Sequence, residues 1–488
     1  MVSTPKIILV NCWTRGIDNI KPPLGLGYLI SYLKKILGFE NLKIIDSGRG
    51  LFEKISKENP SLVGFTSYTV NYLQVTSLMR QIKEKLGVPV IIGGPHISSL
   101  PRRLSPFADV GVIGEGEETF LELIRLYLDK EKLNSHDLEK IKGITFHKDG
   151  QVMITEPREL IEPLDRIPPP DRSSFDMGYF LKPRPLLFNN EYLRATTVLT
   201  TRGCPYHCIY CQASAFWKKP RMHSADYVAD EIKALVDRYQ VTGISIADDL
   251  FTLSKRRIKT LIELLRSCRI LGRVKFLVNS RADLMDGELI ELLRELGVVK
   301  ISLGVESGSE RVLKYLKGGS VSVDQNREAI RLANRSGIGV YGCMMLGAPG
   351  ETREDMAKTV DFIREVLNES PLNAFQVTVT TPLPGTELWD YALEKGYVDE
   401  EMDWNQLDFS PSQIEGRSFL INENVDFDEF VKILKFTAEL CISRRLNQIL
   451  SNLSTEYLKR GLIHPLKVFA LIRAFFKGRF SKLRFGNL

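Results

Sequence analysis

The chain has 488 residues, 43% of them hydrophobic, and a formal net charge of +6; at roughly 150 residues per domain this suggests about three folded domains and excludes a disordered or fibrous protein. Seven cysteines over this length exclude a disulfide framework and point to a reducing compartment. The basic excess is local: residues 459–488 hold eight Lys/Arg and no acid, which excludes a nucleic-acid footprint spread over the whole protein.

The first segment, "MVSTPKIILVNCW", has no basic stretch ahead of a signal-type core, and no run reaches the ~18 apolar residues of a spanning helix. A cytoplasmic location is expected. Apolar runs at 6–10, 42–46, 62–66, 88–94 and 109–117 alternate with helix-period stretches such as 24–37 and 70–86. That alternation predicts a doubly wound parallel sheet over residues 1–140, with ligands at the carboxyl ends of its strands, at "TSYT", "GGPH" and "GEGE".

Residues 141–192 break the pattern. "GITFHKDGQVMI" reads as a hairpin about Asp149 and Gly150, and "RIPPPD" reads as an extended connector. From Ala195 the alternation resumes with "TTVLTT", "GISIADD", "VKFLVNS", "VVKISLGVE", "GVYGCMMLG" and "AFQVTVTTP". Helical stretches lie between them at 224–239, 255–271, 287–296, 324–336 and 353–367. Six strand-helix units over 193–400 predict a partial (β/α)6 barrel of TIM type, with its chemistry at the strands' carboxyl ends. Residues 401–488 read as helical. The fold class expected is therefore α/β, with a linker at 141–192 between two sheet units.

The densest chemical feature is "TTRGCPYHCIYCQAS", which puts Cys204, Cys208 and Cys211 on one loop after the first barrel strand. Three thiolates spaced C-x3-C-x2-C can wrap one metal centre. A closed zinc site needs four ligands, and His207 supplies a candidate fourth. Zinc cysteines usually come as two C-x2-C pairs, however, and no second pair is present. A four-iron cluster on three cysteines keeps one iron open.

The loop, with Tyr210 in C-x3-C-x-aromatic-C after a first barrel strand, resembles the radical S-adenosylmethionine superfamily. "KPPLGLGYLISYL", "GFTSYT", "IGGPHISSLP" and "GVIGEGEETF" resemble the N-terminal cobalamin-binding, Rossmann-like domain of its class B methylase-like subgroup. Together the resemblances cover about residues 1–400. They imply one oxygen-sensitive 4Fe–4S cluster held by Cys204, Cys208 and Cys211, with S-adenosylmethionine on the open iron as the source of a 5′-deoxyadenosyl radical. By the same resemblance Tyr210, Asp248, Asp249, Asn279, Arg281, Glu306 and Gly347 would surround S-adenosylmethionine, with Arg281 or Asn279 at its carboxylate or ribose. Thr66, Ser67, Gly93, Gly94, Gly114 and Gly116 would line the corrinoid and its nucleotide tail, where small residues let backbone approach.

One departure concerns the cobalt ligand. "NCWTRGIDN" after the first strand carries no His of the Asp-x-His-x-x-Gly type, and His96 reads more readily as a loop or nucleotide-tail contact than as a substitute. No catalytic side chain is singled out. The activity implied is methylation of an unactivated carbon. The alternatives are a radical cyclase, rearrangement or oxidative enzyme with the same cofactors, and an inactive corrinoid-binding sensor or carrier. An electron donor such as flavodoxin or ferredoxin is implied. The basic, apolar tail at 462–485 fits a helix lying on an anionic membrane surface, so a lipid or isoprenoid joins the small-molecule substrates expected.

Overall fold

The computed structural model describes residues 5–12, 21–46, 50–182, 193–217 and 219–451. The tail at 462–485 lies outside them, as does most of the loop that follows the first strand. Five parallel strands, β1 (Ile7–Asn11), β2 (Leu42–Asp46), β3 (Leu62–Thr66), β4 (Val90–Gly93) and β5 (Val110–Val112), pair in the order β2-β1-β3-β4-β5. All five residues of β1 are buried, as expected of a central parallel strand covered by helices on both faces. The strand order reverses at β1, which makes its carboxyl end a topological switch point.

The hairpin belongs to this sheet and not to a linker. β6 (Ile144–Lys148) pairs antiparallel with β5, and β7 (Gln151–Ile154) pairs with β6. Unpaired, β5 would be an exposed edge, and the hairpin covers it. Phe146 and Ile144 are buried in the core while Gln151–Ile154 stays largely open. The connector proper begins after the hairpin, and Ile161, Leu164 and Ile167 pack it against Tyr28.

The second sheet is all parallel. β8 (Ala195–Val198) is followed by a two-residue ribbon of β9 (Thr201–Arg202) and β10 (Arg221–Met222) that brackets the cysteine loop. Then come β11 (Gly243–Ile246), β12 (Lys275–Ser280), β13 (Val298–Glu306), β14 (Gly339–Leu346) and β15 (Ala374–Val379), in the spatial order β15-β14-β13-β12-β11-β8. The helices between them start on side-chain caps: Ser224, Ser254, Asp286, Ser322 and Thr352 each accept a backbone N–H of the first turn. These helices cover the outer face through residues such as Ile232, Leu265, Leu293, Ile330 and Ile363, each fully buried.

The segment after the barrel is less helical than its sequence reads. Short turns at Trp404–Leu407 and Pro411–Gly416 precede one long helix, Phe427–Ser451, that packs on β15. The reason lies in its partners. Trp389, Trp404, Leu407 and Ile421 share a core with Ile8, Val63 and Ile92 of the first sheet, so the chain runs irregularly to reach that sheet. No helix of the described residues is long and apolar enough to cross a membrane.

Candidate active site

Both sheets present their carboxyl ends to one cleft of about 380 Å³. The first sheet contributes Thr66, Gly93, Gly94, Gly114 and Gly116; the second contributes Arg202, Gln212, Trp217 and Asp249. Gly94 has φ +103, and a Cβ there would stand 2.5 Å from the Ser67 carbonyl oxygen, so only glycine fits. A Cβ on Gly114, at φ +76, would meet nothing within 4 Å. Apolar side chains such as Leu24, Leu26 and Phe120 complete that wall. Bare backbone at strand ends over an apolar floor suits a broad, flat ligand such as a corrinoid. Ser67 is fully buried, donates to the Gly93 carbonyl at 3.2 Å and supports the Gly93-Gly94 turn from behind. His96 is also fully buried, tilted against Tyr72 with ring centroids 3.9 Å apart and edge-on to Trp404, and burial pushes its pKa down to about 3. It is a neutral core histidine and is not part of the cleft wall.

The cysteine loop is fixed at both ends and in the middle. Gly203 starts it at φ +92, where a Cβ would come within 2.8 Å of the Trp217 Cβ. The Ile209 N–H donates to the Leu316 carbonyl at 3.2 Å, and the Ile209 carbonyl accepts from Leu388 N–H at 3.0 Å, which clamps the loop between two helices. The Cys211 N–H closes a turn on the Cys208 carbonyl at 3.0 Å. The thiols are half-buried. Burial raises the pKa values of Cys204 and Cys211, and the neighbouring cysteines raise them further. Among the described residues no three His, Cys, Asp or Glu side chains are grouped to hold a single metal ion, and His207 is exposed. Three half-buried cysteines on one loop offer the three sulfur donors that a cluster with one open iron would use.

The polar residues expected around S-adenosylmethionine divide into two groups. Asp248 is fully buried and accepts from Thr200 N–H at 2.6 Å, Thr200 Oγ1–H at 2.5 Å and Thr201 N–H at 2.9 Å, with Arg257 3.8 Å away. Its carboxylate is wholly engaged in holding the chain between β8 and the cysteine loop. Asn279 donates to the Asp248 carbonyl at 2.8 Å and so aligns β12 with that turn. Asp249, by contrast, opens to the cleft and takes the Gly203 N–H at 3.2 Å; the surrounding protein raises its pKa.

Glu306 ends β13 in the left-handed region, φ +65, where the pairing with β14 slips between Gly304 and Glu306. A non-glycine residue in that conformation is strained. It aims the carboxylate at the Tyr210 hydroxyl, 2.8 Å away, with Lys317 Nζ at 3.8 Å. Gly347, at φ +87, gives its N–H to Glu351 at 2.6 Å, and a Cβ there would meet the Phe430 ring at 2.9 Å. Burial pushes the Glu351 pKa up to about 8. Arg281 is committed at all three of its side-chain nitrogens, a point developed below.

The sequence reading missed a buried charge network between the sheets. Glu115 accepts from Arg202 at 2.6 Å and from Arg221 at 2.9 and 3.0 Å, and also takes the Ile161 N–H at 2.8 Å. Glu117 accepts from the other arm of Arg202 at 2.6 Å. Trp217 lies under both guanidiniums and Tyr28 under that of Arg202. The signal was present in outline: an acidic run, "GEGEE", directly after a parallel strand, and an arginine on either side of the cysteine loop. Arg417 was missed too. It is buried beside Thr381, at the carboxyl end of β15, with a hydrogen bond to Thr381 Oγ1 and its Nε buried without a partner. Burial pushes its pKa down to about 10.

Residues 198–363 match the radical SAM superfamily and residues 14–124 match the B12 binding domain. An uncharacterized methyltransferase of Pyrococcus horikoshii is 31% identical over 80% of this chain and 83% of its own length. The chain is a radical S-adenosylmethionine enzyme of the cobalamin-binding family. An anaerobic magnesium-protoporphyrin IX monomethyl ester cyclase of Rubrivivax gelatinosus is 29% identical to this radical S-adenosylmethionine enzyme over 80% of it and 69% of the cyclase. The fold is also that of the radical S-adenosylmethionine methyltransferase TsrM of Kitasatospora setae, solved with tryptophan and an S-adenosylmethionine analogue bound. The TM-score is 0.66 at 20% identity, over 80% of this chain and 76% of that one. The enzyme thus uses a 4Fe–4S cluster, S-adenosylmethionine and cobalamin.

Proposed function

We propose that this enzyme methylates an unactivated carbon, with the cluster loop and the corrinoid wall facing one substrate space. The observation that carries the reading is the shared cleft: Gly94 and Gly114 of the first sheet and Asp249 and Gln212 of the second line the same cavity. The cluster and S-adenosylmethionine supply a carbon-centred radical, and cobalamin supplies a methyl group. Cys204, Cys208 and Cys211 would hold the cluster. Tyr210, Asp249, Glu306 and Gly347 would bind S-adenosylmethionine, and Asp248 and Asn279 would set the strand ends from which those residues project. Thr66, Gly93, Gly94, Gly114 and Gly116 would receive the corrinoid, with Ser67 behind them. The buried walls exclude water from both.

The substrate class we propose is a lipid or isoprenoid, supported by the basic, apolar composition of residues 462–485. A flavodoxin- or ferredoxin-type donor would supply electrons. The domain limits that follow are a corrinoid unit closing at the hairpin, near residue 154, and a radical unit from about 193.

The relationship to cyclases is the reason for a second reading, a radical cyclisation with the same cofactors. S-adenosylmethionine carrying a trideuterated methyl group separates the two. Extracts of a lipid-containing reaction should yield a product heavier by one trideuterated methyl. Formation of 5′-deoxyadenosine with no deuterated product would refute methyl transfer.

A further inference from the structure

Cys208 of the cysteine loop receives a side-chain hydrogen bond: Nη1 of Arg281 lies 3.6 Å from its Sγ, within the range of an N–H···S bond. The donor is a charged side chain delivered from the end of β12.

The guanidinium has little freedom to point elsewhere. Nε donates to Asp283 Oδ1 at 3.0 Å, and Nη2 donates to Ser320 Oγ at 2.7 Å. The Tyr206 ring lies under it, 3.5 Å from the guanidinium carbon to the ring centroid, and the Tyr206 hydroxyl donates to Asp283 Oδ2 at 2.8 Å. The Arg281 side chain is only 9% exposed. With two nitrogens held by Asp283 and Ser320, the third is directed at the sulfur. Three of its five N–H groups are thus used, one on each nitrogen, and together they fix the plane of the guanidinium.

We propose that Arg281 is a positioning residue that sets the reduction potential of the cluster by donating a charged N–H to the Cys208 sulfur. A donor and a positive charge beside a thiolate ligand stabilise the electron-rich form, so the potential rises when they are present and falls when they are removed. The reduced cluster of these enzymes must pass one electron onward, and the protein tunes how readily it accepts that electron by such contacts.

The test is an anaerobic potentiometric titration of the reconstituted full chain, with the reduced cluster followed by EPR and no S-adenosylmethionine present. Arg281→Gln should lower the reduced-to-oxidised ratio at a given potential about tenfold, a shift of about 59 mV for one electron. Arg281→Lys should shift the same way but less, because its ammonium keeps the charge while its single nitrogen cannot serve three partners at once. A wild-type midpoint in Arg281→Gln at full iron content overturns the proposal. Should that variant take up less iron, the midpoint of the cluster it does hold is read instead, and a wild-type value there overturns the proposal. The titration involves no methyl transfer, so its outcome is independent of the substrate reading.

Discussion

Cys208→Ala will form no 5′-deoxyadenosine under reducing conditions and will give no methylated product. Three ligands on one loop leave no redundancy. Cys208 is also the member whose carbonyl closes the turn to Cys211 and whose sulfur faces Arg281. Removing it takes away one iron ligand and leaves a buried guanidinium with an empty position. The change should be close to complete in activity and small in global stability, because the loop's own clamps to Leu316 and Leu388 are backbone bonds that alanine preserves. Iron content, 5′-deoxyadenosine release and a denaturation curve measure the three effects together. Turnover at a wild-type rate would show that the cluster is held elsewhere.

Glu115→Ala should destabilise the junction between the two sheets by about 3–5 kcal/mol, the usual cost of stripping the partner from buried charges. Glu115 is buried among Arg202, Arg221 and the Ile161 N–H. Without it, among the described residues, Arg221 has no carboxylate in contact and Arg202 keeps Glu117 alone. Both guanidiniums already have an Nε buried without a partner, so the site has no spare acceptor to offer. Glu115→Gln keeps the shape and an acceptor and should cost less. The urea midpoint of each variant checks this, and equal midpoints for wild type and Glu115→Ala would contradict it. Since Arg202 and Glu117 also line the cleft, the same variant should bind corrinoid more weakly.

The sheets were legible because buried parallel strands are written as continuous apolar runs, and "KIILV", "LVGFT" and "KISLGVE" are short and rich in Val and Ile, which favours a strand over a buried helix. The cysteine loop was legible because its spacing is local. Pairing between distant segments was not. "GITFHKDGQVMI" declares a hairpin, but nothing in those residues says that the hairpin covers the edge of β5. The irregular path of residues 401–426 was hidden for the same reason. Trp404 and Leu407 answer to the first sheet, far away in sequence.

Within the site, residue type was readable and residue orientation was not. Two adjacent acids, Asp248 and Asp249, look equivalent in "IADDLFT", yet one is buried in a turn and the other opens to the cleft. Arg281 reads as a carboxylate binder, and nothing in the sequence signals that its three nitrogens reach Asp283, Cys208 and Ser320. Glu115, Glu117, Arg202 and Arg221 read as solvated charges because sequence carries no burial, and here burial is what makes them a junction.

The central claim is that cluster and corrinoid face one cleft. EPR on a sample holding both the reduced cluster and cob(II)alamin tests it directly, because two paramagnets sharing one cavity broaden and split each other's signals. The account predicts a spin–spin interaction that appears when both centres are paramagnetic and vanishes when either is made diamagnetic. Two signals that simply add, in a chain loaded with both iron and cobalt, would contradict it.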